Sequence, residues 1–410
     1  MDEKGKIQLE NGATIFYCNI PGKNYVYGEL EIGSGSAVEP YNKRGLAHVV
    51  EHMTFHGSRH YPSRRIQEET AERLGIDKLN AGTNFAHISF PFYVPKDNTL
   101  PVVNLLQDLV FRPIFRKADL ETEKKIIANE CRREYDSIAN QRQALFNQVF
   151  FRGTPLDELV IGREDHISSL SKEDVAGYHK KNFTAPNLTV FLFGGMDEDL
   201  ISQVRSQLQN LPNSPKPEKF KCSLPVLLGS DRIEKYAPGA RQCYADIIFR
   251  APDQSSEDMP AMTVIANILQ CDGKSGLMPR IRDKLNLAYN IFANYYSNTD
   301  YGYLRTGFDC GPEDLEQTLG ESGALLSNLN PRQAEIEKAK FRILEYYKRA
   351  QDDPESRFRI FIGESRQGFS NNDFLEKVKA VSKEQVERAV KIYLLENPRQ
   401  VVILGPERRS

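Results

Sequence analysis

Residues 45–57 read Gly45-Leu46-Ala47-His48-Val49-Val50-Glu51-His52-Met53-Thr54-Phe55-His56-Gly57. Leu46–Phe55 is rich in helix formers, and Gly57 stands where a C′ glycine ends a helix. Positions four apart on a helix share a face, with Cβ atoms about 5–6 Å apart. The imidazoles of His48 and His52 can therefore converge on one ion, at a Zn–N distance of about 2.0–2.1 Å. Glu51, three residues after His48, shares that face and can reach a water at the ion's open position.

The order H-x-x-E-H reverses the H-E-x-x-H zinc-peptidase motif and is itself a metallopeptidase signature. A catalytic zinc takes three protein ligands and leaves its fourth position to water, so a third ligand must come from elsewhere in the chain. Ala118–Gln148 reads as one long helix with charged residues on its outer face. Glu123 and Glu130, seven apart, lie on one stripe of it, two turns from each other. One can bind the metal while the other orients a ligand histidine from behind. Taken alone, both read as solvated helix charges. His56 and His60 continue the i+4 series, but Gly57 falls between them, and they read as surface histidines. His87, His166 and His179 lack partner spacing and read as structural or exposed. Cys131 points about 100° away from Glu130 on a helix and reads as core.

Outward from the motif, the chain alternates strand and helix signals. Asn11-Gly12 sits between two strand-like runs in Lys6–Asn19, a strong hairpin signal. Tyr25–Ile32, Ala86–Val94 and Leu188–Phe193 read as strands. Arg64–Leu74, capped by Ser63, reads as a helix, as do Leu100–Leu109, Ser171–Asn182 and Asp197–Asn210. Pro212–Lys221 holds three prolines and three lysines, the composition of a stiff exposed linker. The second half repeats the plan loosely, with strands at Ala245–Phe249, Ala288–Tyr295, Tyr303–Phe308 and Val401–Gly405. Its helices fall at Met259–Leu269, Pro312–Leu329, Gln333–Asp352 and Lys383–Tyr393. The expected organisation is a catalytic domain over 1–211, a linker over 212–224 and a homologous domain over 225–410. Strands and helices without strict βα alternation favour an α+β fold, two similar domains of mainly antiparallel sheet with helices packed on it.

Composition narrows the function classes. The chain has 410 residues, with 54 Lys+Arg against 56 Asp+Glu and a net charge of −2, so no basic surface for nucleic acid is expected. The longest apolar runs are strand-length, far short of the ~20 residues that span a bilayer, and no membrane partner is expected. Six scattered cysteines without a C-x-x-C read as reduced, buried thiols. The N-terminus shows no basic segment followed by an apolar one, so no signal peptide is expected, and the reading is cytoplasmic, with a processed organellar or periplasmic form left open.

The motif, its spacing and its flanks resemble the pitrilysin / insulysin / mitochondrial-processing-peptidase family. Residues 53–129, 77 in number, separate His52 from Glu130, matching the family's gap to its glutamate ligand, and Glu123 matches a further glutamate seven residues earlier. Gly45-Leu46-Ala47 before the motif and Phe55-His56-Gly57 after it fit the same pattern. Leu79-Asn80-Ala81-Gly82-Thr83 looks like the family's edge strand beside the active site. Arg280–Tyr289 looks like its substrate-binding segment, with Arg282 and Tyr289 at the characteristic separation. The resemblance covers nearly the whole chain, at the length of the family's short, two-domain branch. No glycine-rich loop of the non-catalytic processing-peptidase subunit is visible.

The resemblance implies one Zn2+ per chain held by His48, His52 and Glu130, with Glu123 behind a ligand histidine and Glu51 as general base. It implies that Asn80, Ala81, Gly82 and Thr83 bind an extended peptide by strand addition. Arg282 binds substrate backbone, and Tyr289 steadies the oxyanion. In the family, two such chains close on each other, so a homodimer is expected in which Arg282 and Tyr289 act in trans, with a heterodimer as the other arrangement. The expected activity is that of a zinc metalloendopeptidase cleaving unfolded peptides in an enclosed dimer chamber. The alternative is a non-catalytic or partner-dependent subunit of a heteromeric assembly. The physiological substrate is not legible.

Overall fold

The computed structural model of the protein describes residues 2–227, 229–271 and 273–407. The chain divides into two compact units, one of residues 1–134 and 158–220, the other of residues 135–157 and 221–410.

The first unit is built on a six-stranded sheet of β1 (Glu3–Gln8), β2 (Thr14–Asn19), β3 (Tyr25–Ile32), β4 (Gly82–Thr83), β5 (Ile88–Pro95) and β6 (Leu188–Gly194), in the order β1-β2-β6-β3-β5-β4. Only β2 and β6 pair in parallel. The expected hairpin at Asn11-Gly12 joins β1 to β2, and Gly12 takes the positive φ of 89° that the turn requires. Side-chain alternation puts Val26, Leu30 and Ile32 of β3 with Ile88, Phe90 and Val94 of β5 on one face, all fully buried. Helix α1 (Leu46–Thr54) packs on β4, α2 (Arg64–Arg73) packs on α3 (Thr99–Phe111), α3 packs on β5, and α4 (Lys117–Asp136) follows.

The second unit carries a five-stranded sheet of β7 (Asp231–Tyr236), β8 (Cys243–Ala251), β9 (Ala288–Ser297), β10 (Gly302–Cys310) and β11 (Arg399–Gly405), in the order β7-β11-β8-β10-β9. Numbered by appearance from β2, the first sheet runs first-fifth-second-fourth-third, and the second sheet does the same. In both, the first and fifth strands are parallel and every other pair is antiparallel. The two α+β units are thus topological copies, with β1 an addition to the first. Sequence reading missed β7 and the helices Pro354–Gln367 and Asn371–Ala380. β7, DRIEKY, is almost wholly exposed and has no apolar alternation to betray it.

Two expectations are corrected. Ala118–Gln148 is not one helix: α4 ends at Asp136, Ser137 is extended (φ −72°, ψ 123°), and α5 runs Ile138–Phe150. Asp and Ser favour caps and turns because their side chains compete for backbone hydrogen bonds, and the pair stands at this break. The division at 211 is also incomplete, because residues 135–157 cluster with the second unit. There the rings of the α5 residues Phe146 and Phe150 pack tilted and edge-on against Tyr303 of β10. Among the described residues no helix is long and apolar enough to cross a membrane.

Candidate metal centre

α1 is held at both ends. Gly45 starts it at φ 94°, and a Cβ there would come within 2.7 Å of the Ile161 carbonyl oxygen, so this position needs glycine. The carboxylate of Glu39, itself buried, accepts hydrogen bonds from the Gly45 and Ala47 amides at 3.0 and 2.6 Å, which closes the open N-terminal turn. Burial pushes the Glu39 carboxyl up to about 8, against the opposing pull of those two amides and of Arg44. Leu46, Val49, Val50 and Met53 bury the inner face of the helix. His48 and His52 are left on the opposite side, each partly exposed. Phe55 rather than Gly57 forms the C-cap, and Gly57 lies two residues beyond it at φ 123°.

The two imidazoles converge as the four-residue spacing demands. His48 Nε2 and His52 Nε2 stand 3.1 Å apart, and Glu130 Oε2 of α4 lies 3.9 Å from His52 Nε2. One donor atom from each of His48, His52 and Glu130 falls within 4.8 Å of the other two. Two ligands at ~2.0–2.1 Å from one ion, at a tetrahedral angle, stand about 3.3–3.4 Å apart, so the histidine pair is already set at ligand separation. Burial, aided by neighbouring His52, lowers the His48 ring to about 3, which keeps it neutral as a ligand must be. This donor set of two imidazoles and a carboxylate suits zinc.

Glu123 is the buried partner behind the ligands. It falls on the apolar stripe of α4 with Leu120, Ile127 and Cys131. Its Oε1 lies 3.6 Å from His52 Nδ1 and 2.8 Å from His56 Nε2, with Arg64 Nη1 at 4.0 Å. Burial pushes the Glu123 carboxyl up, but the bonds from His52 and His56 outweigh it and hold the group at about 2. Burial also pulls the His52 ring down, and the bond to Glu123 with the charges of Glu51 and Glu130 holds it above its usual value. An ionised Glu123 facing Nδ1 leaves Nε2 as the donor toward the ion, the arrangement metal-bound histidines use.

Glu51 is buried beside the same centre, and burial raises its carboxyl against the hydrogen bond that Thr83 Oγ1 donates to Oε2 at 2.6 Å. Thr83 and Gly82 form β4, the last strand of the sheet, paired to β5 through Ser89 and Ile88. Asn80, exposed, and Ala81, half-buried, precede it outside the strand. In the second unit, Arg282 lies in a wide helical turn, Pro279–Lys284, and Tyr289 is the second residue of β9. The guanidinium of Arg282 stands 5.8 Å from the Tyr289 ring centre, and that tyrosine is 77% exposed. β9 is the counterpart of β4 in the duplicated topology.

His56 corrects the expectation of a surface histidine: it is half-buried and bonded to Glu123. The i+4 spacing from His52 is the signal for this, and it outweighs the glycine at 57: both rings face Glu123 although α1 has ended. His60, mostly exposed, pairs with the buried carboxylate of Asp108 at 2.7 Å. The six cysteines are buried thiols outside any disulfide. A second group, Glu29, Glu31 and His87, also brings donor atoms within 4.8 Å of one another, but it holds a single imidazole.

This combination, a duplicated α+β architecture with an H-x-x-E-H helix facing a glutamate on a second helix, is that of an inverted-zincin metallopeptidase scaffold. Comparison with known proteins makes the class specific. Residues 14–163 match the family described as Insulinase (Peptidase family M16), and residues 169–343 match its companion, the Peptidase M16 inactive domain. The chain belongs to this family, the pitrilysin-type M16 peptidases. It is 26% identical over 309 residues to an uncharacterized zinc protease of Rickettsia felis, spanning 74% of this chain and 73% of that one. It is 28% identical over 204 residues to the mitochondrial-processing peptidase subunit beta of Dictyostelium discoideum, spanning 48% of this chain and 43% of that one. A protease from Helicobacter pylori shares the fold, with a TM-score of 0.89 at 17% identity over 99% of this chain and 100% of that one.

Proposed function

We propose that the chain is a zinc metalloendopeptidase that cleaves unfolded peptides. The observation that carries this reading is the convergence of His48, His52 and Glu130 with Glu51 buried beside them. Zinc, when bound, supplies a Lewis acid that lowers the pKa of water and polarises a carbonyl. His48, His52 and Glu130 would hold it, and Glu123 would fix the His52 ring. Glu51 takes a proton from the attacking water and returns it to the leaving amine. The open edge of β4 offers main-chain hydrogen bonds to an extended peptide, which selects for an unfolded segment more than for a sequence. Tyr289 donates to the developing oxyanion and Arg282 binds peptide backbone.

Two copies of the chain would be needed if Arg282 and Tyr289 serve the metal centre of a partner, and we favour a homodimer. A partner-dependent heteromer is the second reading, favoured by a relative named as one subunit of a processing peptidase. The two are separated by mixing Glu51→Gln chains with Tyr289→Phe chains. Recovered activity supports action in trans between identical chains, and none counts against it. The peptidase itself is tested with quenched fluorescent peptides of varied length, with chelator and then zinc added back. Glu51→Gln should keep its zinc and lose about two to four orders of magnitude in turnover. Unchanged turnover in that variant would sink the scheme.

A further inference from the structure

Thr83 belongs to two structures at once. Its backbone forms β4 opposite Ile88, and β4 ends the sheet among the described residues. Its hydroxyl donates to Glu51 Oε2 at 2.6 Å. Directly opposed residues of an antiparallel pair point to the same face. Ile88 is fully buried on the helix side, so Thr83 is aimed there and Gly82 to the other side. A glutamate side chain has three rotatable bonds, and a base acts only when a free lone pair meets the proton it takes. The Thr83 bond takes one lone pair of Oε2 and fixes the direction in which the other oxygen, Oε1, points.

We infer that Thr83 is a positioning residue that ties the register of a peptide lying along β4 to the orientation of Glu51. This rests on the peptidase reading above. The same residue whose backbone indexes the peptide holds the base with its side chain, so scissile bond and base share one reference point. Losing the hydroxyl frees Glu51 without removing the edge strand. Small misplacements of a reacting group cost on the order of 10²-fold in rate.

The test compares Thr83→Val, which keeps shape and strand preference, with Thr83→Ser, which keeps the hydroxyl. For a peptide that the wild type cuts once, Thr83→Val should lower kcat by about 10–100-fold with KM and zinc content unchanged, and should produce additional cleavage sites by mass spectrometry. Thr83→Ser should restore both rate and single-site cutting. In the Glu51→Gln background, Thr83→Val should leave peptide affinity unaltered. A Thr83→Val enzyme with wild-type kcat, a loss carried by KM alone, or a serine variant as impaired as valine overturns the inference. A wild type that binds peptide and zinc but cuts nothing sinks the peptidase reading instead. Crystal structures of the zinc-loaded wild type and Thr83→Val then decide the role of Thr83, and a Glu51 carboxylate that keeps its orientation without the hydroxyl refutes it.

Discussion

Glu123 lies on the buried stripe of α4, seven residues before Glu130, and its charge is sustained by two histidines. One of these, His52, is also a candidate ligand, so Glu123 acts on the metal through a ring it orients. Replacing such a partner typically weakens metal binding about 10–100-fold, and Glu123→Gln should fall in that range. His56→Ala removes only one of its two imidazole contacts and should cost less. The pH dependence has a definite sign. A ligand imidazole must be neutral, and His52 is held above its usual value, so it keeps its proton past about pH 6.5, the ordinary histidine midpoint. Zinc affinity should therefore be poor below that midpoint and climb as pH rises through the raised one. Glu123→Gln removes the main support of the raised value, so the climb should begin at lower pH even as the plateau weakens. Competition with a chromogenic chelator across pH reads both effects, and a midpoint that does not move would refute the assignment of Glu123 to His52. His48, held neutral to about 3, should contribute nothing to this titration.

At the scale of the element, the motif helix was legible because its chemistry and its geometry share one period. Four-residue spacing put both imidazoles on one face, and the structure keeps them there at 3.1 Å. Glu123 and Glu130 were legible as a pair, but not as one buried and one half-exposed group. That difference depends on which side of α4 meets the rest of the unit. The same blindness turned α4 and α5 into one helix, since no Gly or Pro interrupts residues 118–148 to mark the break at Ser137. Glu39 was not singled out at all. It lies outside any element, and only the folded chain brings it to the Gly45 and Ala47 amides. Removing a buried acceptor leaves both amides without a partner, at about 1–3 kcal/mol each. Glu39→Ala should accordingly destabilise the metal-free protein by about 2–6 kcal/mol in urea, and weaken zinc through a frayed first turn of α1. A variant that unfolds at the wild-type urea midpoint would show that the turn is held by other means.

At the scale of the whole molecule, the path of the chain matters more than the linker that composition marks so clearly. Residues 135–157 leave the first unit, build α5 into the second, and return at 158. Within the second unit, Arg142 of α5 reaches Asp246 of β8 and Asp309 of β10 at 2.7 Å each, and Arg305 of β10 closes the set on Asp246, also at 2.7 Å. Asp246 is fully buried, so its charge depends on these two guanidiniums. Stripping one partner from a buried ion pair costs about 3–5 kcal/mol, because the remaining charge stays buried. A fragment of residues 221–410 loses Arg142 together with the Phe146 and Phe150 side chains that pack on Tyr303. It should fail to give a cooperative unfolding transition and should bind a hydrophobic dye, although it contains every strand of its sheet. Fusing residues 135–157 to its N-terminus through a flexible linker should restore cooperativity, and the same fusion with Arg142→Met should restore it only in part. A bare 221–410 fragment that unfolds cooperatively would show that α5 is an accessory to the second sheet. The expected outcome makes it a structural part, and makes the two units inseparable by a single cut at the linker.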